Sequence, residues 1–233
     1  MIKSFLILIS FSVVLVASKQ IILVVADDFN TSKAQLECYE DSKKIFKTID
    51  VNLGKNGLGW GLGKEELKQL PSDSIKYEGD KKAPSGVFKL SSIFGYAHNS
   101  TYNMPYIHST KNMICVDDSQ SQHYNQIISM EKEKPSSFEY MKRDDLQYAI
   151  GIVVEHNKDA ISQRGSCIFL HVEKGENEGT AGCTSMNIHD LQKIVSWLDA
   201  KKKPILIQIK KSSSHEILKK YPELKNSKLL QKN

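Results

Sequence analysis

A thiol and an imidazole twelve residues apart, Cys183 and His171, are the pair in this sequence best suited to chemistry. The spacing is too wide for one helical turn. It suits a strand ending in His171 and a returning loop that brings Cys183 to the same cleft. An imidazole within hydrogen-bond reach supplies the base that a thiol needs to become a nucleophile. Gly182, just before the cysteine, lets backbone approach a substrate carbonyl, so the Gly182 and Cys183 N–H groups form a candidate oxyanion hole. Two blander readings compete. Free cysteines are commonly buried packing residues. A metal reading takes Cys167, His171 and Cys183, but it lacks a fourth ligand at zinc-finger spacing; no metal or cofactor is expected.

The elements that must position the pair read mainly as strands. Ser166–Val172 is an apolar run suited to burial on both faces, and it ends at His171. The polar loop Glu173–Gly179 follows, then Thr180-Ala-Gly-Cys183. Residues 187–200 form the one strong helix. Asn187 is its N-cap, and Ile188, Leu191, Ile194, Val195 and Leu198 make its apolar stripe. Pairing with His171, and the helix N-terminus if it points at the sulfur, both favour a thiolate, so Cys183 is expected to alkylate faster than Cys38, Cys115 or Cys167. Strands are predicted at Gln20–Val25, Ala34–Glu40, Ile49–Leu53, Val87–Leu90, Asn112–Val116, Leu146–Glu155 and Pro204–Ile209. Turn chemistry marks Asp80–Gly86, short helices are predicted at Glu65–Leu70 and within Pro135–Asp145, and residues 95–110 read as a loop carrying His98 and His108. Those two histidines and His156 read as solvated. Asp117-Asp118 reads as a loop cap rather than an acid–base pair, and Tyr124-Asn125 lies within reach of the same cleft. The lysine-rich residues 211–233 read as a loose helix or a disordered tail. Strands with one packed helix make a β-sandwich-like domain.

Composition narrows the function. A chain of 233 residues supports one domain with its own core. The net charge of +5 comes without a basic patch interleaved with aromatics, so nucleic acid is not an expected partner. Residues 1–18 read as a secretory signal: Lys3, an apolar stretch Phe5–Val16, then Val16-Ala17-Ser18. The apolar run is short for spanning a bilayer, so no stable membrane insertion is expected once it is removed. Export implies an oxidising compartment, periplasm or cell envelope. With Cys183 reduced, Cys38, Cys115 and Cys167 allow at most one disulfide. The glycines of LGKNGLGWGLG, Leu53–Gly63, do not make a phosphate loop: Leu58 stands where glycine is needed and Glu65 where Ser or Thr is needed. That stretch reads as a surface loop with Trp60 packed beneath it.

The block RGSCIFLHVEKGENEGTAGCTS, from Arg164, resembles the catalytic motif of the YkuD-type L,D-transpeptidase family: a strand ending in His, a loop, then Ser or Thr, any residue, Gly and Cys. Here those positions are His171, Thr180, Gly182 and Cys183. Lys82–Phe88, Phe94-Gly95-Tyr96, Met104-Pro105-Tyr106 and Val116–Asp118 with Tyr124-Asn125 extend the likeness over most of the chain after the leader. The resemblance implies a catalytic domain at 19–210, with two mixed sheets holding a Cys–His cleft at one end. It also implies acyl transfer on peptidoglycan stem peptides. Cys183 would attack the carbonyl before a D-amino acid, His171 would carry the proton, and a backbone carbonyl would orient the ring. Thr180, Ser185, Tyr124 and Asn125 are the expected substrate contacts. Many members of the family carry arginine two residues after the cysteine, where this chain has Ser185. An L,D-carboxypeptidase on the same site, or a non-catalytic wall-binding module, is the alternative.

Overall fold

The computed structural model describes residues 18–231. The expected leader, 1–18, lies outside the described residues apart from Ser18. Fourteen strands are described: β1 (Gln20–Ala26), β2 (Lys33–Glu40), β3 (Lys43–Lys44), β4 (Ile49–Asn52), β5 (Leu58–Trp60), β6 (Ala83–Gly95), β7 (Tyr106–His108), β8 (Met113–Val116), β9 (Ile127–Ser129), β10 (Phe138–Tyr140), β11 (Ile150–Val154), β12 (Phe169–Val172), β13 (Thr184–Met186) and β14 (Ile205–Lys210). Helix α1 spans Ile188–Trp197, and helix α2 spans Ser214–Lys220.

The fold is mainly β with a packed helix, as expected. The larger sheet runs β1-β14-β6-β11-β12-β13-β4-β2, and β1 also pairs with β2, so it closes into a barrel. It is mixed: β1–β14 and β12–β13 are parallel, and the other pairs around the barrel are antiparallel. Closure removes the exposed edges that an open sheet would leave. A second, antiparallel sheet, β10-β8-β9, is separate from the barrel.

Side-chain alternation divides the two faces of the strands that carry the site. Ile152 and Leu170 point into the main core, where Leu191, Ile194, Val195 and Leu198 of the helical segment join them. Phe94, Phe169 and Cys183 point the other way, into a second cluster with Cys115, Met141, Tyr148 and Cys167. The small sheet covers this second cluster, and one covalent bond pins it there. Cys115 of β8 is disulfide-bonded to Cys167, which lies two residues before β12. Cys38, the thiol left over, is buried in the main core.

Several local expectations are corrected. Glu65–Leu70 is not helical. Its apolar residues are too few for a buried helical face, and Glu65 instead bridges to Val87. Residues 138–140, expected within a short helix, form β10, because Phe138-Glu139-Tyr140 alternates with a period of two. Ala83–Gly86 is strand rather than turn, and Tyr106–His108 is a strand inside the expected loop. The glycine stretch after Leu53 is mostly interior, and its β5 pairs with β6. Strand β12 begins only at Phe169, because Cys167 turns the chain with φ 53°. Residues 211–231 are packed: Ile217, Leu224 and Leu230 enter the main core, and Ser227 donates to the buried Glu37 carboxylate at 2.7 Å.

The disulfide closes a loop across 52 residues. Restricting such a loop in the unfolded chain is worth on the order of 4 kcal/mol. Replacing Cys115 and Cys167 together by serine is expected to lower the urea-unfolding free energy by about 2–4 kcal/mol. Hydrogen exchange should quicken first in β8–β10. Unchanged stability and unchanged protection there would show that the small sheet does not depend on the pin.

Candidate active site

The parallel β12–β13 ladder sets the site. Its register places Leu170 beside Thr184, His171 beside Ser185 and Val172 beside Met186. Cys183 therefore falls beside Phe169, one rung below His171 and on the same face. Adjacent strands lie about 4.8 Å apart and two residues rise about 6.6 Å, so the imidazole and the thiol are within side-chain reach of each other. On its other side His171 pairs with Gly151 of β11. A Cβ at Gly151 would sit 2.2 Å from the ring of Phe94, so glycine is required for that ring to stand beside the histidine.

His171 is 4 % exposed. Its Nδ1 lies 2.8 Å from Val172 O. A carbonyl only accepts, so Nδ1 carries the proton and Nε2 presents its lone pair. The orienting carbonyl expected from the sequence is that of the next residue. Tyr148 stands edge-on to the imidazole at 5.3 Å, and its hydroxyl donates to Glu139 Oε2 at 2.5 Å. Tyr148 packs with Cys183 in the second cluster and ties the barrel to β10 of the covering sheet.

Cys183 is 6 % exposed. Its thiol donates to Cys167 O at 3.4 Å and accepts from the Phe169 N–H at 3.3 Å. In this conformation the sulfur is bonded to those groups and not to His171. Burial pushes the thiol up to about 12, with the Glu139 carboxylate adding to the rise. Burial pulls His171 down to about 4. The resting pair is thus neutral thiol and neutral imidazole. The helix expected to favour a thiolate does not reach the sulfur. Strand β13 intervenes, so the start of α1 lies about four extended residues, or ~13 Å, from Cys183, and its field fades within its first turn. Asn187 caps α1 as expected, accepting from the His189 N–H at 2.9 Å.

The other expected residues fall in distinct places. Thr180 staples the turn before Cys183: its hydroxyl donates to Cys183 O at 2.6 Å and accepts from the Gly182 N–H at 3.1 Å. The Gly182 N–H is therefore occupied here, and Gly182 holds φ 154°. Tyr124 and Asn125 are spent on protein partners beneath the covering sheet. The Tyr124 hydroxyl donates to Glu78 and accepts from the Gly165 N–H at 3.1 Å. Asn125 accepts from the Cys167 N–H at 2.9 Å and donates to the His156 and Asn157 carbonyls. Ser185 is 1 % exposed, lies beside His171, and its hydroxyl has no hydrogen-bond partner. Cys167 is in the disulfide, which removes it from the three-ligand metal set.

Residues read as peripheral are also placed. His98 and His108 meet edge to face, with ring centroids 5.0 Å apart. His108 pairs with Gly95, so it points away from the face that carries Phe94. His156 is buried rather than solvated. Its Nε2 donates to Arg164 O at 2.9 Å, its Nδ1 accepts from the Leu62 N–H at 3.2 Å, and burial pulls it down to about 4. Asp118 caps its loop as expected, accepting from Gln120 and Ser136. Tyr148, Glu139 and Gly151 were missed. Nothing in their local pattern marks them, because they meet His171 or Cys183 only through strand pairing and the covering sheet.

A mainly β barrel that sets a thiol and an imidazole on neighbouring parallel strands defines a candidate cysteine acyl-transfer site. The family model described as the YkuD L,D-transpeptidase catalytic domain matches residues 22–207. The chain belongs to that family, and its catalytic domain is of the cell-wall L,D-transpeptidase type. Neither the curated proteins nor the solved structures give a match. Among the described residues no helix is long and apolar enough to cross a membrane.

Two tests follow from the burial of the pair. Between about pH 6.5 and 4 the unfolded chain binds protons that the folded chain refuses at His171 and His156. Stability should fall as pH falls through that window, by about 3 kcal/mol per histidine. His171→Gln should flatten part of the slope in urea titrations at pH 7 and pH 4.5; an unaltered slope would mean that His171 is not held neutral. Cys183 should also alkylate more slowly with iodoacetamide at pH 7 than an exposed cysteine, contrary to the sequence-based expectation. Rapid labelling of Cys183 in the folded protein would contradict the buried, protonated thiol.

Proposed function

We propose that the protein is an L,D-transpeptidase that transfers the acyl group of a peptidoglycan stem peptide through a Cys183 thioester, with His171 as base. The observation that carries this reading is the shared face of Cys183 and His171 on the β12–β13 ladder, with His171 Nδ1 anchored on Val172 O. That anchor leaves the Nε2 lone pair free to take the thiol proton.

The neutral resting pair favours one order of events. Cys183 does not wait as a thiolate. Attack on the substrate carbonyl and proton transfer to His171 Nε2 are coupled, as in general-base catalysis. The C–S bond forms, the carbonyl oxygen takes negative charge, and the imidazolium then protonates the departing amine of the D-amino acid. The Cys183 N–H is the proposed oxyanion donor. The Gly182 N–H joins it once the Thr180 hydroxyl releases it. The Phe169 N–H, directed at the sulfur, steadies negative charge as it develops there. Substrate must displace part of the cover, because both reacting groups are buried.

The exported, cell-envelope reading is supported by the Cys115–Cys167 disulfide, which persists in oxidising compartments. A carboxypeptidase would use the same thioester and release it to water. A wall-binding module would not need the thiol at all.

Incubation with disaccharide-tetrapeptide muropeptides should give a thioester adduct on Cys183 and crosslinked, exchanged or trimmed products by mass spectrometry. Cys183→Ala should abolish them, and His171→Ala should lower turnover by about 10²–10⁴-fold. Full product formation by Cys183→Ala would rule the mechanism out.

A further inference from the structure

One rung of the barrel carries polar groups outward from His171. Its register runs His171 (β12), Ser185 (β13), Asn52 (β4) and Lys33 (β2), all on the face of the thiol. Ser185 is 1 % exposed and its hydroxyl has no partner, an arrangement that is destabilising in a site that does nothing. Asn52 is 5 % exposed, and its Nδ2 donates to Glu173 Oε2 at 3.1 Å. Glu173 lies two residues beyond His171 and so points to the same face. A cleft of about 970 Å³ opens at the outer end of this rung, with Lys33, Asp50, Asn52, Glu173 and Asn177 on its walls. The rung thus runs from the cleft at Lys33 and Asn52 inward to the buried Ser185 beside His171, with an unsatisfied hydroxyl as the last polar group before the imidazole.

We propose that this rung is the acceptor side of the reaction, and that Ser185 positions the primary amine that attacks the Cys183 thioester. The proposal rests on the thioester reading above. The Glu173 carboxylate draws a cationic amine into the cleft, and Asn52 guides it inward. The ammonium gives one proton to water in the cleft, and at the inner end the Ser185 oxygen accepts one N–H of the resulting free-base amine while His171 Nε2 faces another. The amine nitrogen attacks the thioester carbon, the C–N bond forms and the C–S bond breaks. The proton leaving nitrogen goes to His171 Nε2 and from there to the Cys183 sulfur, which restores the thiol. Two-point positioning favours an amine over water, so the rung makes the enzyme a transpeptidase rather than a carboxypeptidase.

The test is the ratio of amine product to hydrolysis product, with a stem tetrapeptide as donor and D-methionine as amine. This ratio is set after the thioester forms and does not depend on the rate of acylation. Wild type should favour the amine product at millimolar D-methionine. Ser185→Ala should lower the ratio by about fivefold or more, and Asn52→Leu should raise the D-methionine concentration needed for half-maximal partition, each with a native melting curve. If one variant fails to fold, the other decides. Unchanged partition in the folded variants, or hydrolysis alone in wild type, overturns the acceptor role while leaving Cys183 as nucleophile. Absence of a Cys183 adduct in wild type overturns the thioester reading, and the acceptor role with it.

Discussion

The parallel register between β12 and β13 is the constraint on which the site depends. It makes His171 and Cys183 neighbours although a polar loop separates them in sequence. A slip of one residue would send one of the two into the main core, because successive side chains alternate between faces. The barrel guards against that slip. Leu170 and Met186 fill the main core from the same strands, and closure through β1 and β2 leaves neither strand free to slide. The long-range pairing of the barrel thus serves to hold two side chains on one rung spacing.

Desolvation then sets the chemistry of the pair. The covering sheet, the Cys115–Cys167 disulfide and the Tyr148–Glu139 contact enclose both groups. An enclosed thiol resists losing its proton and an enclosed imidazole resists gaining one, so the two shifts oppose ion-pair formation together. In the proposed mechanism a substrate carbonyl would change that balance, because the charge leaving sulfur would pass to an oxygen that backbone N–H groups can meet. In this account the protein keeps its cysteine unreactive until an acyl donor is seated.

The local elements around the candidate site were legible in the sequence because their signals are local. The apolar run ending at His171, the Thr180-Ala-Gly182-Cys183 turn and the capped, striped helix at 187 each declare themselves within a few residues, and all three hold. The same locality explains the errors. The reach of the α1 N-terminus was inferred from a separation of four residues, but an extended strand makes that distance long. Thr180 lies close to Cys183 in sequence and Tyr124-Asn125 was expected to reach the same cleft, but all three are consumed by protein hydrogen bonds that only the fold reveals. Tyr148, Glu139 and Gly151 carry no motif, and their roles arise from strand register. The Cys115–Cys167 pairing was open among three cysteines and is settled by the position of β8 over β12. Residues 211–231 were expected to be a loose helix or a disordered tail by charge; Ser214–Lys220 is helical, and Ile217, Leu224 and Leu230 supply enough apolar surface to dock the segment.

The protonation state of the resting pair is the claim on which the mechanism turns, and nitrogen NMR of His171 reads it directly. With ¹⁵N-labelled histidine and His171→Gln to assign the signal, the account predicts a neutral ring protonated on Nδ1, with a lone-pair Nε2, from neutral pH down to about pH 4. Two protonated nitrogens at pH 7 that revert to one in Cys183→Ala would reveal a preformed thiolate–imidazolium pair and contradict the account.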